Sequence, residues 1–257
     1  MSGRLAGKVA IVTGSGSGIG QAIAIRFASE GAIVVVDYRN NIEKSQETAS
    51  KAEAAGGKAI LVRADVTSLA DTQNLVDQAY QQLGRCDILV NNAGIEKNAP
   101  FWDVTEADYD AVLNVNLKGA FFVTQAFVRR LRDAKLPGRI INISSVHEDL
   151  AFPNFSSYCA SKGGMRTLMR NLAVELGPLN ITVNNIAPGA IATPINTKLM
   201  EDKPKLDALL KNIPLGHMGA PDDVSGVALF LASDDAAYVT GSTYFVDGGL
   251  IRNYHEQ

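Results

Sequence analysis

Cysteine is nearly missing from this chain: Cys86 and Cys159 are the only two among 257 residues. They show no Cys-x-x-Cys spacing, so neither a disulfide scaffold nor a cysteine metal knuckle is expected, and two unpaired thiols fit the cytoplasm. Histidine is scarce as well. His147, His217 and His255 are scattered, without His-Glu-x-x-His or any comparable ligand spacing, and no metal site is expected. Basic charge is not in excess, since 24 Lys and Arg stand against 27 Asp and Glu for a net charge of −3. The chain therefore lacks a positive field for a nucleic-acid backbone. No uninterrupted apolar run reaches the ~18 residues of a membrane span, and none is expected. The first residues carry no signal-peptide core, and Met1-Ser2-Gly3 has no glycine at the position myristoylation uses.

What is present is a globular composition, 46% apolar and 20% charged. Apolar β-branched runs alternate with helical patterns. Strands are expected at 9–12, 32–36, 59–62, 88–90, 139–143, 181–184 and 243–246. Helices are expected at 18–30 and at about 43–55, 70–83, 106–134, 156–176 and 222–231. Strands that are apolar without alternation are buried on both faces, which points to a parallel sheet. Right-handed crossovers then give an α/β, doubly wound (Rossmann) fold of about seven strands with helices on both faces. No linker or composition shift divides the chain, so residues 1–257 read as a single domain. The stretch at about 191–219 is polar, is broken by Pro194, Pro204 and Pro214, and is expected to be a substrate lid.

Glycine is somewhat enriched, and its placement carries the first chemical signal. Thr13-Gly14-Ser15-Gly16-Ser17-Gly18-Ile19-Gly20 follows the first strand and opens the first helix. Such a turn lets the backbone approach a pyrophosphate, which the helix N-terminus attracts. Its spacing, Thr-Gly-x₃-Gly-Ile-Gly, resembles the short-chain dehydrogenase/reductase family. Asn91-Asn92-Ala93-Gly94 after the fourth strand, Ser145 thirteen residues before Tyr158, the pair Tyr158 and Lys162, and Pro188-Gly189 extend the resemblance along the chain.

Tyr158 and Lys162 stand four apart and so share one helix face. A nearby ammonium favours a phenolate, and Tyr158 can then take the proton of a substrate alcohol as hydride leaves. Ser145, beyond the fifth strand, can hydrogen-bond the substrate oxygen. Its neighbour Ser144 competes for that role, and the family's spacing favours Ser145. The resemblance adds Asn116, the family's helix asparagine, which orders a water beside the lysine. Ser145, His147 and Asp149 do not read as a hydrolase triad, because residues two apart on one segment cannot make its contacts. Glu148 and Asp149 read as a solvated pair.

The resemblance places the cofactor against Gly14, Ser17, Gly18, Ile19, Gly20, Tyr38, Arg39, Asp65, Val66, Asn92, Ala93, Gly94, Tyr158, Lys162, Pro188, Gly189, Ile191 and Thr193. The family's NAD-selecting acid falls on Tyr38 and its basic position on Arg39, which implies use of both NADP and NAD with NADP favoured. Asp37 is expected to point elsewhere. Local sequence around Glu96, Ser144 to Glu148 and Asn196 is similar to the glucose 1-dehydrogenase subgroup. With Ser145 and Tyr158, the residues Glu96, His147 and Asn196 could surround a polyol, so oxidation of a sugar, at glucose C1 to the lactone, is the expected reaction. Reduction of 3-oxoacyl thioesters is the alternative, and a non-catalytic nucleotide-binding scaffold the remote one. The family is commonly tetrameric, so a homotetramer is expected.

Overall fold

The computed structural model describes residues 3–253, and His255 lies outside the described residues. Seven strands form one parallel sheet: β1 (Val9–Val12), β2 (Ile33–Tyr38), β3 (Lys58–Arg63), β4 (Ile88–Asn91), β5 (Gly138–Ile143), β6 (Ile181–Pro188) and β7 (Thr243–Val246). Their order is β3-β2-β1-β4-β5-β6-β7, and every neighbouring pair is parallel. The helices are α1 (Gly18–Ser29), α2 (Ile42–Ala54), α3 (Leu69–Leu83), α4 (Glu106–Leu113), α5 (Ala120–Ala134), α6 (Ser156–Leu176), α7 (Thr197–Glu201), α8 (Lys203–Lys211) and α9 (Pro221–Ala232).

The continuous apolar strands divide their side chains between two cores. Ala10 and Val12 of β1 join Phe27, Ala52 and Leu229 on the side of α1, α2 and α9. Val9 and Ile11 join Leu75, Phe127 and Met169 on the side of α3, α5 and α6. Local signals set the ends of the helices. Asn41, Ser68 and Thr105 cap α2, α3 and α4 by accepting from Lys44, Asp71 and Asp108 N–H. Gly84, in the left-handed region at φ 75°, ends α3. The order in which strands are added to the sheet reverses between β1 and β4, the point where doubly wound folds open a crevice beyond the strand carboxyl ends.

Three expectations change. The run 106–134 is not one α-helix: a π turn, Asn114–Gly119, separates α4 from α5. Gly119 allows that helix to pass the preceding crossover, for a Cβ there would lie 2.9 Å from Val66 O. This run is also long and apolar enough by composition to cross a membrane, but Val112, Val123, Phe127 and Leu131 bury fully, as in a core helix. The stretch 191–219, expected only as a polar segment broken by proline, is partly helical. It carries α7 and α8, and Pro204 sits in the first turn of α8, where a missing N–H is harmless. Its base is closed by a bridge between Ile191 and Gly219. Finally, β6 runs on to Pro188, because the polar Asn184 and Asn185 find partners there: Asn184 Nδ2 donates to Val239 O at 2.8 Å and Asn185 Oδ1 accepts from Asn142 at 2.9 Å.

Candidate active site

The carboxyl ends of β1 and β4 build a cradle made mainly of backbone. Gly14 takes φ +65°, and a Cβ on it would lie 2.9 Å from Ala93 Cα. A Cβ on Gly20 would lie 2.4 Å from Asn92 Nδ2 and 2.6 Å from Gly14 O. Ser17, Gly18 and Ile19 form the start of α1, and Ser17 does not cap it through its side chain, which leaves the first N–H groups of the helix available to an anion. Asn92 donates from Nδ2 to Thr13 O and Gly14 O at 2.9 and 3.0 Å. The Thr13 hydroxyl accepts from Asn92 N and Ala93 N at 3.0 and 3.1 Å, tying the two loops together. Space that only glycine leaves, beside free helix-start donors, fits a dinucleotide pyrophosphate.

Asp37 points inward, away from the rim. Its Oδ1 accepts from Gly14 N at 2.6 Å and Ser15 N at 3.3 Å. Burial raises its pKa to about 6, against these hydrogen bonds. Tyr38 ends β2, half-buried, and Arg39 follows, exposed and without an ion pair among the described residues. Across the groove, Asp65 accepts from Thr67 N and Oγ1 at 2.9 and 2.7 Å. Burial opposes its ionised form, but Thr67 and the charges of Arg39 and Arg63 bring its pKa below the usual carboxylate value. Val66 lies beside Gly119. On the far side, Pro188 ends β6, and a Cβ on Gly189 would lie 2.8 Å from Asp247 Cβ. Ile191 is buried, and the Thr193 methyl carbon lies 3.4 Å from the position of a Cβ on Gly18, so the 191–219 segment begins directly over the glycine turn.

Ser145, Tyr158 and Lys162 come together at the end of β5. Ser145 Oγ accepts from His147 N at 3.2 Å and is hydrogen-bonded to the Tyr158 phenol. Ser144 is turned away, its N–H donating to Ile186 O at 2.7 Å and its hydroxyl buried without a partner. Lys162 Nζ lies 5.6 Å from the Tyr158 ring centre and donates to Ile143 O at 2.8 Å. The expected lowering of the Tyr158 pKa by this ammonium is not what the geometry gives. Burial pushes Tyr158 up to about 12, the Ser145 hydrogen bond lowers it and the charge of Glu96 raises it further. Burial pulls Lys162 down to about 8, opposed by the charge of Glu148.

Asn116 sits in the π turn, fully buried. Its Oδ1 accepts from Ile95 N at 2.8 Å, and its Nδ2 donates to Ile95 O at 2.9 Å and Ser161 Oγ at 3.1 Å. Its side chain therefore clamps the Gly94–Glu96 loop onto α6.

Of the residues expected around a polyol, Glu96 and His147 stand at the site. Glu96 is half-buried, its pKa raised by burial. His147 stacks on Phe152 at 4.1 Å, and Phe152 on Phe155 at 4.0 Å, so these rings form a wall whose His147 end lies 6.4 Å from the Tyr158 ring. Burial lowers the His147 pKa, although a contact to Leu150 O opposes it. Asn196 is not aimed at the site. Its Nδ2 donates to Ile191 O at 2.8 Å and braces the base of the 191–219 segment, because the short turn Pro194–Asn196 folds it back. Glu148 and Asp149 are not a solvated pair either: the Glu148 side chain is fully buried, and Arg166 bonds Asp149 and lies 3.8 Å from Glu148. Sequence reasoning missed Thr13, Phe155 and Ser161. Thr13 directly precedes the glycine turn and could have been suspected, whereas the other two act only through the packing of α6.

A family model described as enoyl-(acyl carrier protein) reductase matches residues 14–251. The chain is 46% identical over 246 residues to 3beta-hydroxysteroid dehydrogenase 1 of Eggerthella lenta, covering 96% of this chain and 94% of that protein. It is 41% identical over 249 residues to glucose 1-dehydrogenase 2 of Bacillus subtilis, covering 96% and 95%. The crystal structure of a gluconate 5-dehydrogenase from Burkholderia cenocepacia in complex with NADP and tartrate superposes with a TM-score of 0.93 at 39% identity, covering 98% of each chain.

Proposed function

The chain belongs to the short-chain dehydrogenase/reductase family, and from that premise we propose that this NAD(P)-dependent oxidoreductase oxidises a sugar hydroxyl, at C1 of glucose or a similar aldose, to the lactone. One observation carries the reading: the Ser145–Tyr158 pair opens onto a rim shared by the half-buried Glu96 carboxylate and the His147–Phe152–Phe155 wall. A carboxylate accepts hydroxyl protons, and flat rings pack against the C–H face of a sugar ring. An apolar ketone would leave Glu96 unsatisfied.

In this mechanism Ser145 holds the reacting oxygen and Tyr158 removes its proton. A dinucleotide held by the Gly14–Gly20 turn, Asn92 and the start of the 191–219 segment would supply, in its oxidised form, the acceptor for the hydride. With its pKa at about 12, Tyr158 is protonated at neutral pH and stands ready to donate in the reductive direction. Oxidation needs the phenolate, so its rate is expected to rise with pH. Lys162 supplies positive charge beneath the tyrosine, and Asn116 fixes the loop that carries Glu96. NADP is favoured because Asp37 is turned inward while Arg39 stands free at the end of β2, where a 2′-phosphate would lie. NAD remains usable.

We assign the segment at 191–219 as a lid of this single domain, the cytoplasm as location, and a homotetramer as the working state. Trp102 and Phe101, 83% and 77% exposed, together with Tyr109 and Phe121 support burial between copies, and sedimentation tests it. A second reading, a hydroxyl on an apolar ring, is favoured by the Phe152–Phe155 stack and by the hydroxysteroid dehydrogenase relative. Absorbance assays of nicotinamide reduction and oxidation with NAD and NADP, over aldoses, polyols, hydroxysteroids and 3-oxoacyl thioesters, separate these readings. Turnover of thioesters alone would sink the sugar assignment.

A further inference from the structure

Behind the catalytic tyrosine, the sheet carries a row of buried amides that the proposed reaction does not use. Asn91 Nδ2 donates to Asn142 Oδ1, and Asn142 Nδ2 to Asn185 Oδ1, both at 2.9 Å. Asn185 Nδ2 then donates to Glu148 Oε2 at 3.1 Å. The row crosses β4, β5 and β6 with every amide oriented the same way, and it ends on a carboxylate. From β7, Thr243 Oγ1 donates to Glu148 Oε1 at 2.7 Å. A chain of aligned donors polarises toward its acceptor, so the acceptor best suited to its end is an anion.

Glu148 meets the requirement for a buried charge that is fully hydrogen-bonded. Its side chain is wholly buried, whereas Arg166 is 26% exposed and stands 3.8 Å away, with its closer contact given to Asp149. The nearest partners of Glu148 are thus neutral donors. Asn185, which holds the carboxylate, pairs across the sheet with Asn142, the residue before Ile143, whose carbonyl accepts from Lys162 Nζ at 2.8 Å; the Glu148 charge raises the Lys162 pKa against burial. The backbone of the same turn is tied to the site, Glu148 N donating to Ser145 O at 3.0 Å. The turn after β5 therefore presents Ser145 to the phenol and Glu148 to the underside of α6.

The other charged and titratable groups here are few. On α6 itself they are Tyr158, 5.6 Å from Nζ to ring centre, Cys159, whose charge would raise the Tyr158 pKa, and Arg166. From the loop after β4, Glu96 acts on Tyr158. His147 and Asp149 stand on the turn with Glu148, Asp149 paired with Arg166. Toward this region β6 contributes the neutral Asn185 and the π turn the neutral Asn116.

We propose that Glu148 is a positioning residue for the reaction: the asparagine row and Thr243 fix its carboxylate where it keeps the buried Lys162 side chain an ammonium beneath Tyr158. Burial alone disfavours charge on a lysine. Without Glu148, Lys162 gives up its proton at lower pH, so a larger share of the chain carries a neutral amine that steadies a phenolate less. The proposal rests on the assignment of Tyr158 and Lys162 as the reacting pair, but it does not depend on the substrate.

The test is a titration of Lys162 by NMR in the full-length protein labelled with ¹³Cε-lysine, recorded without substrate, so that a wrong substrate assignment leaves it unaffected. Wild type should titrate near 8. In Glu148→Gln the midpoint should fall by about one pH unit, and in Glu148→Asp, which keeps the charge, it should stay closer to wild type. The alkaline limb of the turnover profile should move down with it, in kcat more than in KM. Should Glu148→Gln fail to fold because Arg166 loses a buried partner, Glu148→Gln/Arg166→Gln removes both charges, and the midpoint should still fall, by less. An unchanged Lys162 midpoint in the neutral variant that folds overturns the proposal.

Discussion

Asp37 and Glu148 are both buried carboxylates near the carboxyl edge of the sheet, but their surroundings differ. Asp37, at the end of β2, is held by backbone N–H groups of Gly14 and Ser15. Glu148, after β5, is held by the side chains of Asn185 and Thr243 with Arg166 nearby. The difference extends to the regions they serve. The β1–α1–β2 region makes its site from backbone, and side chains there are mostly scaffolding or are removed altogether, as at Gly14 and Gly20. The β5–α6 region makes its site from side chains, and each buried polar group needs a partner. A backbone site fails when something is added, whereas a side-chain site fails when something is taken away.

The largest effect should come from taking away. Tyr158→Phe removes the acid–base group and little volume, so turnover should fall about 10²- to 10⁴-fold while titration of nicotinamide fluorescence shows cofactor affinity within a factor of a few. Full turnover in this variant would break the comparison on its side-chain half. Next comes adding. Gly20→Ala puts a methyl 2.4 Å from Asn92 Nδ2 and 2.6 Å from Gly14 O. Overpacking of this kind typically costs about 1–3 kcal/mol, read as a lower urea midpoint, with weakened cofactor binding. A stable variant with wild-type affinity would mean that the turn is not a close-fitting cradle. Arg39→Ala should be milder, raising KM for NADP about tenfold, about 1.4 kcal/mol, and leaving KM for NAD nearly unchanged. Equal effects on both cofactors would remove the basis for NADP preference.

The same contrast explains what could be read in advance. The strands and the doubly wound fold followed from mainly apolar runs without alternation, such as Val9–Val12 and Ile33–Val36. The cradle followed from glycine spacing, because positive φ at Gly14 and close approach at Gly20 leave no other residue suitable. The pair Tyr158 and Lys162 was visible as a helical spacing, but its electrostatics were not, since burial outweighs the neighbouring charge. The π turn at Asn114–Gly119 was hidden within an unbroken helical pattern. Glu148 looked solvated because its partners Asn185 and Thr243 lie 37 and 95 residues away. Asn196 looked like a substrate contact because nothing in its spacing shows that a short turn folds its amide onto Ile191 O.

Asp37 gives the smallest effect and the finest test of the backbone half. Its pKa is about 6 in the folded chain, against an ordinary value of 3.8. A carboxyl with a raised folded pKa binds more protons folded than unfolded, so its contribution to stability improves as pH falls through 6 toward 4 and is least favourable above 6. Between pH 7.5 and pH 5 this amounts to about 1 kcal/mol. Asp37→Asn keeps an acceptor oxygen for Gly14 N–H and removes the titration. The variant should lose that portion of the acid-side gain when urea midpoints are compared at the two pH values, and it should keep its cofactor affinity, because the turn needs an acceptor at this point rather than a charge. If affinity falls together with the pH dependence, the negative charge itself shapes the glycine turn, and the β1–α1–β2 region then depends on a buried side-chain charge in the way the β5–α6 region does.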